Sequence, residues 1–357
     1  MKQRVLLVPP PHAYGSISMN RYHQSLTRVY DDREHKNIDV KSLVSPVNEL
    51  PRRKSFSRRF LSRYIITPLR CCLSRKINIY HALSEDAGEL LKWIPDNSKA
   101  VATVHDIIPL YFDQGLNEKQ LERYERQIKR LTSFDAVICV SQYTADCLAS
   151  FIDIDPSKIH VSPNGVDAKY FSKPFGRQKA VSNRKYILSI SNNAPRKNLE
   201  ILPELFAGLN HQHEDLYLVR IGSPLNDELR MKWNQLVGAQ KLIEVEFCSD
   251  EELVSYYQHA ECFVFPSLAE GFGLPLLEAM ASSCPVVCSN VTSLPEVGGE
   301  YAFYFDPENI EEAIQATETA MIHKNDMKFI NRAKLHAESF SWEQHAKSIV
   351  QIYNSLA

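Results

Sequence analysis

Twelve short apolar runs, rich in Val and Ile and separated by stretches of helical periodicity, constrain this 357-residue chain more than any other feature. Runs of this length between helical patterns read as buried strands, and their regular alternation with helices reads as parallel sheet with crossover connections. In the first half they predict strands at Val5 to Pro9, Ile38 to Val44, Ile77 to His81, Ala100 to His105, Ala136 to Ser141 and Ile159 to Ser162. The second half adds Tyr186 to Ser191, Leu216 to Gly222, Ile243 to Cys248, Cys262 to Phe265, Val286 to Ser289 and Ala302 to Phe305. Two sets of six predict an α/β protein of two doubly wound domains, whose ligand sites lie beyond the carboxyl ends of the strands.

The expected division is a first domain over 1–167, a linker over 168–185 and a second domain over 186–341, with a cleft between the domains. The linker is polar and basic, and Pro174 and Gly176 break any regular pattern in it. Phe340-Ser341-Trp342-Glu343 predicts a final amphipathic helix through Tyr353, with Ser341 as its cap.

Composition excludes some function classes. A hydrophobic share of 44% is that of a globular chain, and a net charge of -2 gives no global reason to bind nucleic acid. The eight cysteines include no C-x-x-C pair and read as reduced thiols in a cytoplasmic protein. The apolar run after MKQR is too short for a signal peptide, and no run of about eighteen apolar residues exists to span a membrane.

One segment departs from this even balance. Pro51 to Lys76 carries seven arginines, two lysines and no acid. On a helical wheel Phe56, Phe60, Leu61, Tyr64 and Ile65 oppose Arg58, Arg59, Arg63 and Arg70. Two readings stay open: a basic amphipathic helix lying on an anionic membrane surface, or a solvated basic face whose apolar side packs on its own domain.

The chemistry concentrates in Cys262 to Gly299, which holds four of the twelve glycines (Gly271, Gly273, Gly298, Gly299) and two carboxylates, Glu270 in a loop and Glu278 on a helix beginning near Leu274-Pro275. A helix start directs unpaired N–H groups and the positive end of its dipole toward that loop, which suits a phosphate. The glutamates can accept hydrogen bonds from sugar and ribose hydroxyls. Upstream, Arg196 and Lys197 follow the strand ending at Ser191, where a fork and a point charge could neutralise a diphosphate. In the first half His81, His105 and Asp106 stand at predicted strand ends, the functional edge of an open sheet.

Together these residues resemble the retaining nucleotide-sugar glycosyltransferases of the GT-B fold, glycosyltransferase family 4, and within it the mannosyltransferases. Glu270 and Glu278 enclose seven residues, as in that family's E-x7-E motif, within FPSLAEGFGLPLLEAMASSCPVV. Pro195-Arg196-Lys197-Asn198 is similar to its diphosphate-binding turn, Val104-His105-Asp106 to its first-domain histidine, Pro163-Asn164-Gly165-Val166-Asp167 to the turn before its linker, and Phe340-Ser341-Trp342 to the start of its last helix. The resemblance implies two Rossmann-like domains facing across a cleft, with the helix over 342–357 packing back onto the first. It implies Glu270 on the donor sugar's hydroxyls, Glu278 on the ribose, Arg196 and Lys197 on the diphosphate, and His105 near the transferred sugar. The amides of Phe272, Gly273 and Leu274 would complete the donor pocket, with Asn193 and Gly222 also on the nucleotide side. Gly15, Ser16, His81 and Asp106 fall to the acceptor side. The chain differs from many relatives in carrying Ser191-Asn192-Asn193 where they have glycine, and a single glycine in Tyr14-Gly15-Ser16-Ile17.

The implied activity is metal-independent, retaining transfer of a hexose from a nucleotide diphosphate sugar to a glycan acceptor, lipid-linked and at the cytoplasmic membrane face, in cell-surface polysaccharide or lipopolysaccharide assembly. No cofactor is required, no metal site is expected, and no nucleic acid is a partner. His105-Asp106-Ile107-Ile108-Pro109 resembles the mannosyltransferases and favours GDP-mannose over a UDP-hexose. The alternatives are a sugar phosphorylase or nucleotide-sugar epimerase working at the same cleft, and a sugar-nucleotide-binding protein without turnover.

Overall fold

The computed structural model describes residues 2–9, 17–32, 38–43 and 76–357. Gly15, Ser16, Cys71, Cys72 and the basic segment up to residue 75 lie outside the described residues. The chain forms two compact units, Met1–Gly165 with Trp342–Ala357, and Val166–Ser341. Each is built on one parallel six-stranded sheet.

In the first unit the strands are β1 (Gln3–Val8), β2 (Ile38–Ser42), β3 (Ile79–Ala82), β4 (Lys99–Val104), β5 (Ala136–Cys139) and β6 (Ile159–Val161), in the order β2-β1-β3-β4-β5-β6. Among the described residues its helices include α1 (Ile17–Asp32), α2 (Glu118–Lys129) and α3 (Gln142–Phe151). The second unit has β7 (Lys185–Ser191), β8 (Leu216–Gly222), β9 (Leu242–Val245), β10 (Cys262–Phe265), β11 (Val286–Ser289) and β12 (Ala302–Phe305), in the order β12-β11-β10-β7-β8-β9. Its helices are α4 (Leu202–Asn210), α5 (Asp227–Leu236), α6 (Asp250–His259), α7 (Leu274–Ala281), α8 (Leu294–Gly298), α9 (Ile310–His323) and α10 (Met327–Glu338). The final helix, α11 (Trp342–Ser355), belongs to the first unit.

Each predicted strand is present. Several stop one to three residues early because a polar side chain takes the chain into a turn. Beyond β4, Asp106 accepts the Ile108 N–H at 3.1 Å and bends the backbone away from the sheet. Beyond β9 the chain leaves at Glu246, and Ser249 opens α6 with a reciprocal capping box to Glu252.

The stretch over 168–185, expected to be a linker, is a packed part of the second unit. Tyr170 and Val181 are buried, the Phe175 N–H donates to Gln258 Oε1 at 2.8 Å, and Ser255 Oγ donates to the Gly176 carbonyl at 2.8 Å. Polar composition hid this because its few apolar side chains are the ones that turn inward.

In the first unit, Trp342, Ala346, Ile349 and Tyr353 of α11 join Tyr22 and Leu26 of α1 against Val5, Leu7, Ile79 and Val101 of the sheet. The i, i+4, i+7, i+11 spacing puts all four on one face of the helix. Among the described residues, Cys139, Cys147, Cys248, Cys262, Cys284 and Cys288 are free thiols, and no helix is long and apolar enough to cross a membrane.

Candidate functional site

The second sheet reverses its winding at β7, which has β8 on one side and β10 on the other. The crevice of a doubly wound sheet opens at such a point, beyond the carboxyl ends of the two strands where the order reverses. The segments leaving β7 and β10 carry the residues singled out above.

After β7, Pro195–Lys197 makes a single 3-10 turn that ends on Asn198 in the left-handed conformation, φ 50°. Asparagine tolerates that region, and the Asn198 Nδ2 group holds it by donating to the Pro307 carbonyl at 3.2 Å. The turn presents Arg196 and Lys197 side by side. After β10, the loop is fixed by backbone contacts: Leu268 N–H donates to the Arg196 carbonyl at 2.7 Å, Glu270 N–H to Thr292 Oγ1 at 3.1 Å, and Ser293 Oγ reaches the carbonyls of Glu270 and Phe272, each at 3.0 Å.

These two turns meet in an ion triad. Arg196 Nη1 donates to Glu270 Oε2 at 2.8 Å and to the Ala269 carbonyl at 3.0 Å, while Lys197 Nζ pairs with Glu270 Oε1. The Lys197 ammonium also stands 4.9 Å from the centre of the Phe265 ring. Burial pushes the Glu270 carboxyl up, but Lys197 and Arg196 act more strongly the other way and hold it below the usual glutamate value. Glu270 is therefore an ionised, buried acceptor clamped between two cations.

Gly273 starts α7 at φ 101°, and an added Cβ there would come within 2.7 Å of Leu294 Cδ2, so the residue is held to glycine twice over. The first-turn N–H groups of a helix have no acceptor inside it. Those of Leu274 and its neighbours thus begin the helix beside the triad's loop. The Phe272 ring is buried and edge-on to Phe340, with centroids 6.1 Å apart, so its backbone alone is available to a ligand. One turn into α7, Glu278 is buried and its Oε2 accepts the Tyr257 hydroxyl at 3.2 Å.

Two expected donor contacts have protein explanations instead. Asn193 donates to the Pro224 carbonyl and accepts from Arg220 Nη2 at 3.1 Å, which commits its amide to the end of β8. Gly222 has φ 125°, and a Cβ on it would lie 2.2 Å from the Ser191 carbonyl oxygen; the neighbouring strand, rather than a ligand, demands the glycine. Sequence reasoning missed Arg220 and Tyr257. Arg220 alone carried a signal, a charged residue inside the otherwise apolar run of β8.

The first unit is polar in a different way. His81 is wholly buried, with Nδ1 2.6 Å from the Tyr353 hydroxyl and Nε2 2.9 Å from Thr103 Oγ1. His81, expected on the acceptor side, thus has both ring nitrogens occupied beneath the surface. The chain of contacts continues from Thr103 to the Tyr22 hydroxyl (3.1 Å), on to His345 Nε2 (3.0 Å), and from His345 Nδ1 to Ser162 Oγ (2.8 Å). Burial lowers His81 and His345 to about 3, so both are neutral.

His105 stands half-buried at the carboxyl end of β4, its ring edge-on to Tyr22 at 4.6 Å. Its Nε2 lies 3.2 Å from the Leu83 carbonyl, which can only accept, so the proton is on Nε2 and Nδ1 keeps its lone pair. Burial lowers its pKa to about 4 against the opposing pull of that carbonyl. Asp106 follows it, held in its turn with Ile108. Among the described residues no group of three or more His, Cys, Asp and Glu side chains is placed to hold a metal ion.

Known proteins resemble this chain along most of its length. Residues 23–170 match the profile described as Glycosyltransferase Family 4, and residues 172–336 match that described as Glycosyl transferases group 1. The serotype-specific mannosyltransferase WbdA of Escherichia coli is 28% identical over 276 residues, which is 72% of this chain and 34% of that protein. This chain thus spans about a third of that relative's length. The O-antigen chain mannosyltransferase B of Escherichia coli is 29% identical over 272 residues, covering 72% of this chain and 71% of its own. Among solved structures, Anabaena HepE in complex with UDP and glucose superposes with a TM-score of 0.74 at 18% identity, over 99% of this chain and 100% of that one. Sucrose-phosphate synthase from Thermosynechococcus elongatus gives 0.74 at 18%, covering 99% of both chains. At that identity the likeness is one of fold, the GT-B arrangement of two Rossmann-like units.

Proposed function

Because the chain belongs to glycosyltransferase family 4, we propose that it transfers a hexose from a nucleotide diphosphate sugar to a glycan acceptor, with retention at the anomeric carbon and without a metal ion. The observation that carries this reading is the Arg196–Glu270–Lys197 triad at the winding reversal of the second sheet. Two fixed cations and the start of α7 are suited to the negative charge that grows on a departing diphosphate, the electrostatic work a metal would otherwise do. Glu270, kept ionised, is suited to accept the hydroxyls of the sugar being transferred. Glu278, oriented by Tyr257, is suited to the ribose diol.

In the proposed reaction the glycosidic bond to the diphosphate breaks as Arg196 and Lys197 take up its charge. The acceptor hydroxyl enters from the same face and loses its proton to the leaving oxygen. On the first unit, His105 and Asp106 remain the residues proposed to serve the sugar-facing edge of that sheet. Mannose is the proposed sugar, supported by the similarity to the mannosyltransferases WbdA and mannosyltransferase B, and GDP-mannose is the proposed donor. A lipid-linked glycan at the cytoplasmic face of the membrane is the proposed acceptor, supported by the basic, amphipathic pattern over 51–76.

The test is incubation of the purified chain with labelled GDP-mannose, and in parallel UDP-hexoses, together with a membrane extract and with chelator present. Labelled glycan with the donor's anomeric configuration is the expected product. Turnover of donor alone or with inorganic phosphate would overturn the transferase reading in favour of an epimerase or phosphorylase. Binding without turnover across an acceptor panel would leave a binding protein.

A further inference from the structure

Beside the triad a third cation is buried. Arg220 of β8 is 1% exposed, and its partners are all uncharged. Its Nη2 donates to the Ser223 carbonyl at 2.6 Å, to Asn193 Oδ1 at 3.1 Å and to the Ser191 carbonyl at 3.4 Å, and its Nη1 donates to Ser191 Oγ at 3.3 Å. The Nε–H is buried and finds no acceptor among the described residues.

The carboxylate whose charge acts on Arg220, Glu244, is already committed: its Oε2 pairs with Arg230 at 2.6 Å and its Oε1 accepts the Leu225 N–H at 2.7 Å. Burial lowers the Arg220 guanidinium to about 10, against the opposing effect of Glu244, so it is charged at any physiological pH. A neutral amide could bridge the same carbonyls without burying a charge. A buried guanidinium whose hydrogen-bond partners are all neutral, whose Nε–H has no acceptor among the described residues and whose neighbouring carboxylate is shared with Arg230 is suited to a further anion.

Register points to which anion. Arg220 pairs with Ser189 of β7, and its side chain runs forward to the strand ends, where Gly222 stands opposite Ser191. Both of its contacts on the β7 side, Ser191 and Asn193, open the turn that presents Arg196 and Lys197. Arg220 thus joins the segment that carries Arg196 and Lys197, and cations gathered at adjacent strand ends suit a diphosphate.

We infer that Arg220 is a positioning residue for the donor's diphosphate, holding the Ser191–Asn193 end of the Arg196–Lys197 turn and adding its own positive charge to that site. The inference rests on the nucleotide-sugar reading and names a residue that reading did not contain.

The experiment is isothermal titration of the full chain, wild type, Arg220→Met and Arg220→Lys, with GDP and UDP, with guanosine and uridine, at low and high salt. For the better diphosphate, Arg220→Met should weaken binding by about tenfold or more and flatten its salt dependence, while nucleoside binding stays unchanged. Arg220→Lys, which keeps the charge and loses the fork, should give a smaller loss with the wild-type salt dependence. If the Met variant does not fold, the Lys variant decides: selective weakening of diphosphate binding supports the inference, and unchanged affinity overturns it. Equal weakening of diphosphate and nucleoside would mark Arg220 as a mere strand cap and overturn it too. A wild-type chain that binds neither diphosphate would remove the nucleotide-sugar reading and this inference with it, whereas wild-type binding with an unaffected, folded Met variant removes the inference alone.

Discussion

Replacing Glu270 by Gln removes the charge that Arg196 and Lys197 share while keeping the side chain's volume and one acceptor oxygen. Breaking a buried ion pair by deleting one partner costs about 3–5 kcal/mol. Here the Arg196 and Lys197 side chains retain 22% and 13% exposure, and the amide still accepts, so a loss of about 1–3 kcal/mol is expected. In a unit of this size each kcal/mol lowers Tm by roughly 2–4 °C.

The same change should act in the opposite direction on an anionic ligand. With Glu270 gone, the cations no longer divide their charge between a carboxylate and a diphosphate. Unit charges about 8 Å apart at an effective dielectric of about 20 interact by about 2 kcal/mol, so nucleoside diphosphate binding should tighten by about tenfold or more. Transfer should collapse, because the ionised acceptor for the sugar hydroxyls is lost. Thermal unfolding with and without GDP or UDP, titration calorimetry and a transfer assay read the three effects on one preparation. Weaker diphosphate binding in the variant would refute the reasoning, since it would mean that Glu270 organises the cations rather than competing for them. An unchanged Tm would show that the triad contributes nothing to the fold.

Tyr257→Phe removes the hydroxyl that Glu278 accepts at 3.2 Å and should destabilise the chain by about 1.5–3 kcal/mol in chemical denaturation, with a raised KM for the nucleotide sugar; an unchanged KM would separate Glu278 from donor binding. Gly222→Ala forces a Cβ to within 2.2 Å of the Ser191 carbonyl at φ 125° and should cost more than about 2 kcal/mol, against little effect at the open Gly176; equal losses at the two sites would contradict the strand-end packing. His81 and His345 sit near 3 when folded, well below their ordinary value of 6.5, so the unfolded chain takes up protons that the folded unit does not. Their stabilisation is fully present above pH 6.5 and is lost as the pH falls toward 3, by about 1.4 kcal/mol per pH unit each, or about 2 kcal/mol each by pH 5. Urea unfolding that gives the same stability at pH 7 and pH 5 would contradict this.

The fold was legible because its strands are short, largely apolar and alternate with helices, and parallel strands covered on both faces carry few polar residues to blur the pattern. The elements of the triad were legible one at a time. Arg196 and Lys197 sit next to a strand end and Glu270 next to a glycine loop. That all three join in one ion cluster was not, because that depends on β7 and β10 being neighbours across a winding reversal, a tertiary fact with no local trace. Asn198 shows the same limit on a smaller scale. Asn192, Asn193 and Asn198 all lie near this turn, and the one that adopts left-handed backbone, Asn198, is anchored by Pro307, more than a hundred residues away. Tyr257 escaped because a tyrosine on an amphipathic helix has no meaning until its partner is known, and Arg220 because a charge inside a strand does not name its partner.

The two units handle buried polarity by opposite means, and the difference follows from which charges are within reach. In the second unit, Glu270 has two cations on one neighbouring turn, and ionisation is favoured although the carboxyl is buried. In the first, His81 and His345 meet the hydroxyls of Tyr353, Thr103, Tyr22 and Ser162, and His345 the backbone at Ser162 and Pro163, uncharged groups that can bridge a neutral imidazole but do not carry the charge to compensate an imidazolium. The first arrangement keeps charge poised where a charged ligand is proposed to arrive. The second ties α11 to β3, β4 and α1 through His345 and Tyr353, two turns apart on one face of the helix, without introducing a charge that would draw water into the core. A cation placed in the histidine network would lack a counter-ion, and a neutral residue in place of Glu270 would leave two cations unmatched. Each cluster is therefore suited to its own unit, and the acid sensitivity of the chain between pH 6.5 and 4.5 originates with the histidines, because Glu270 stays ionised below the ordinary glutamate range.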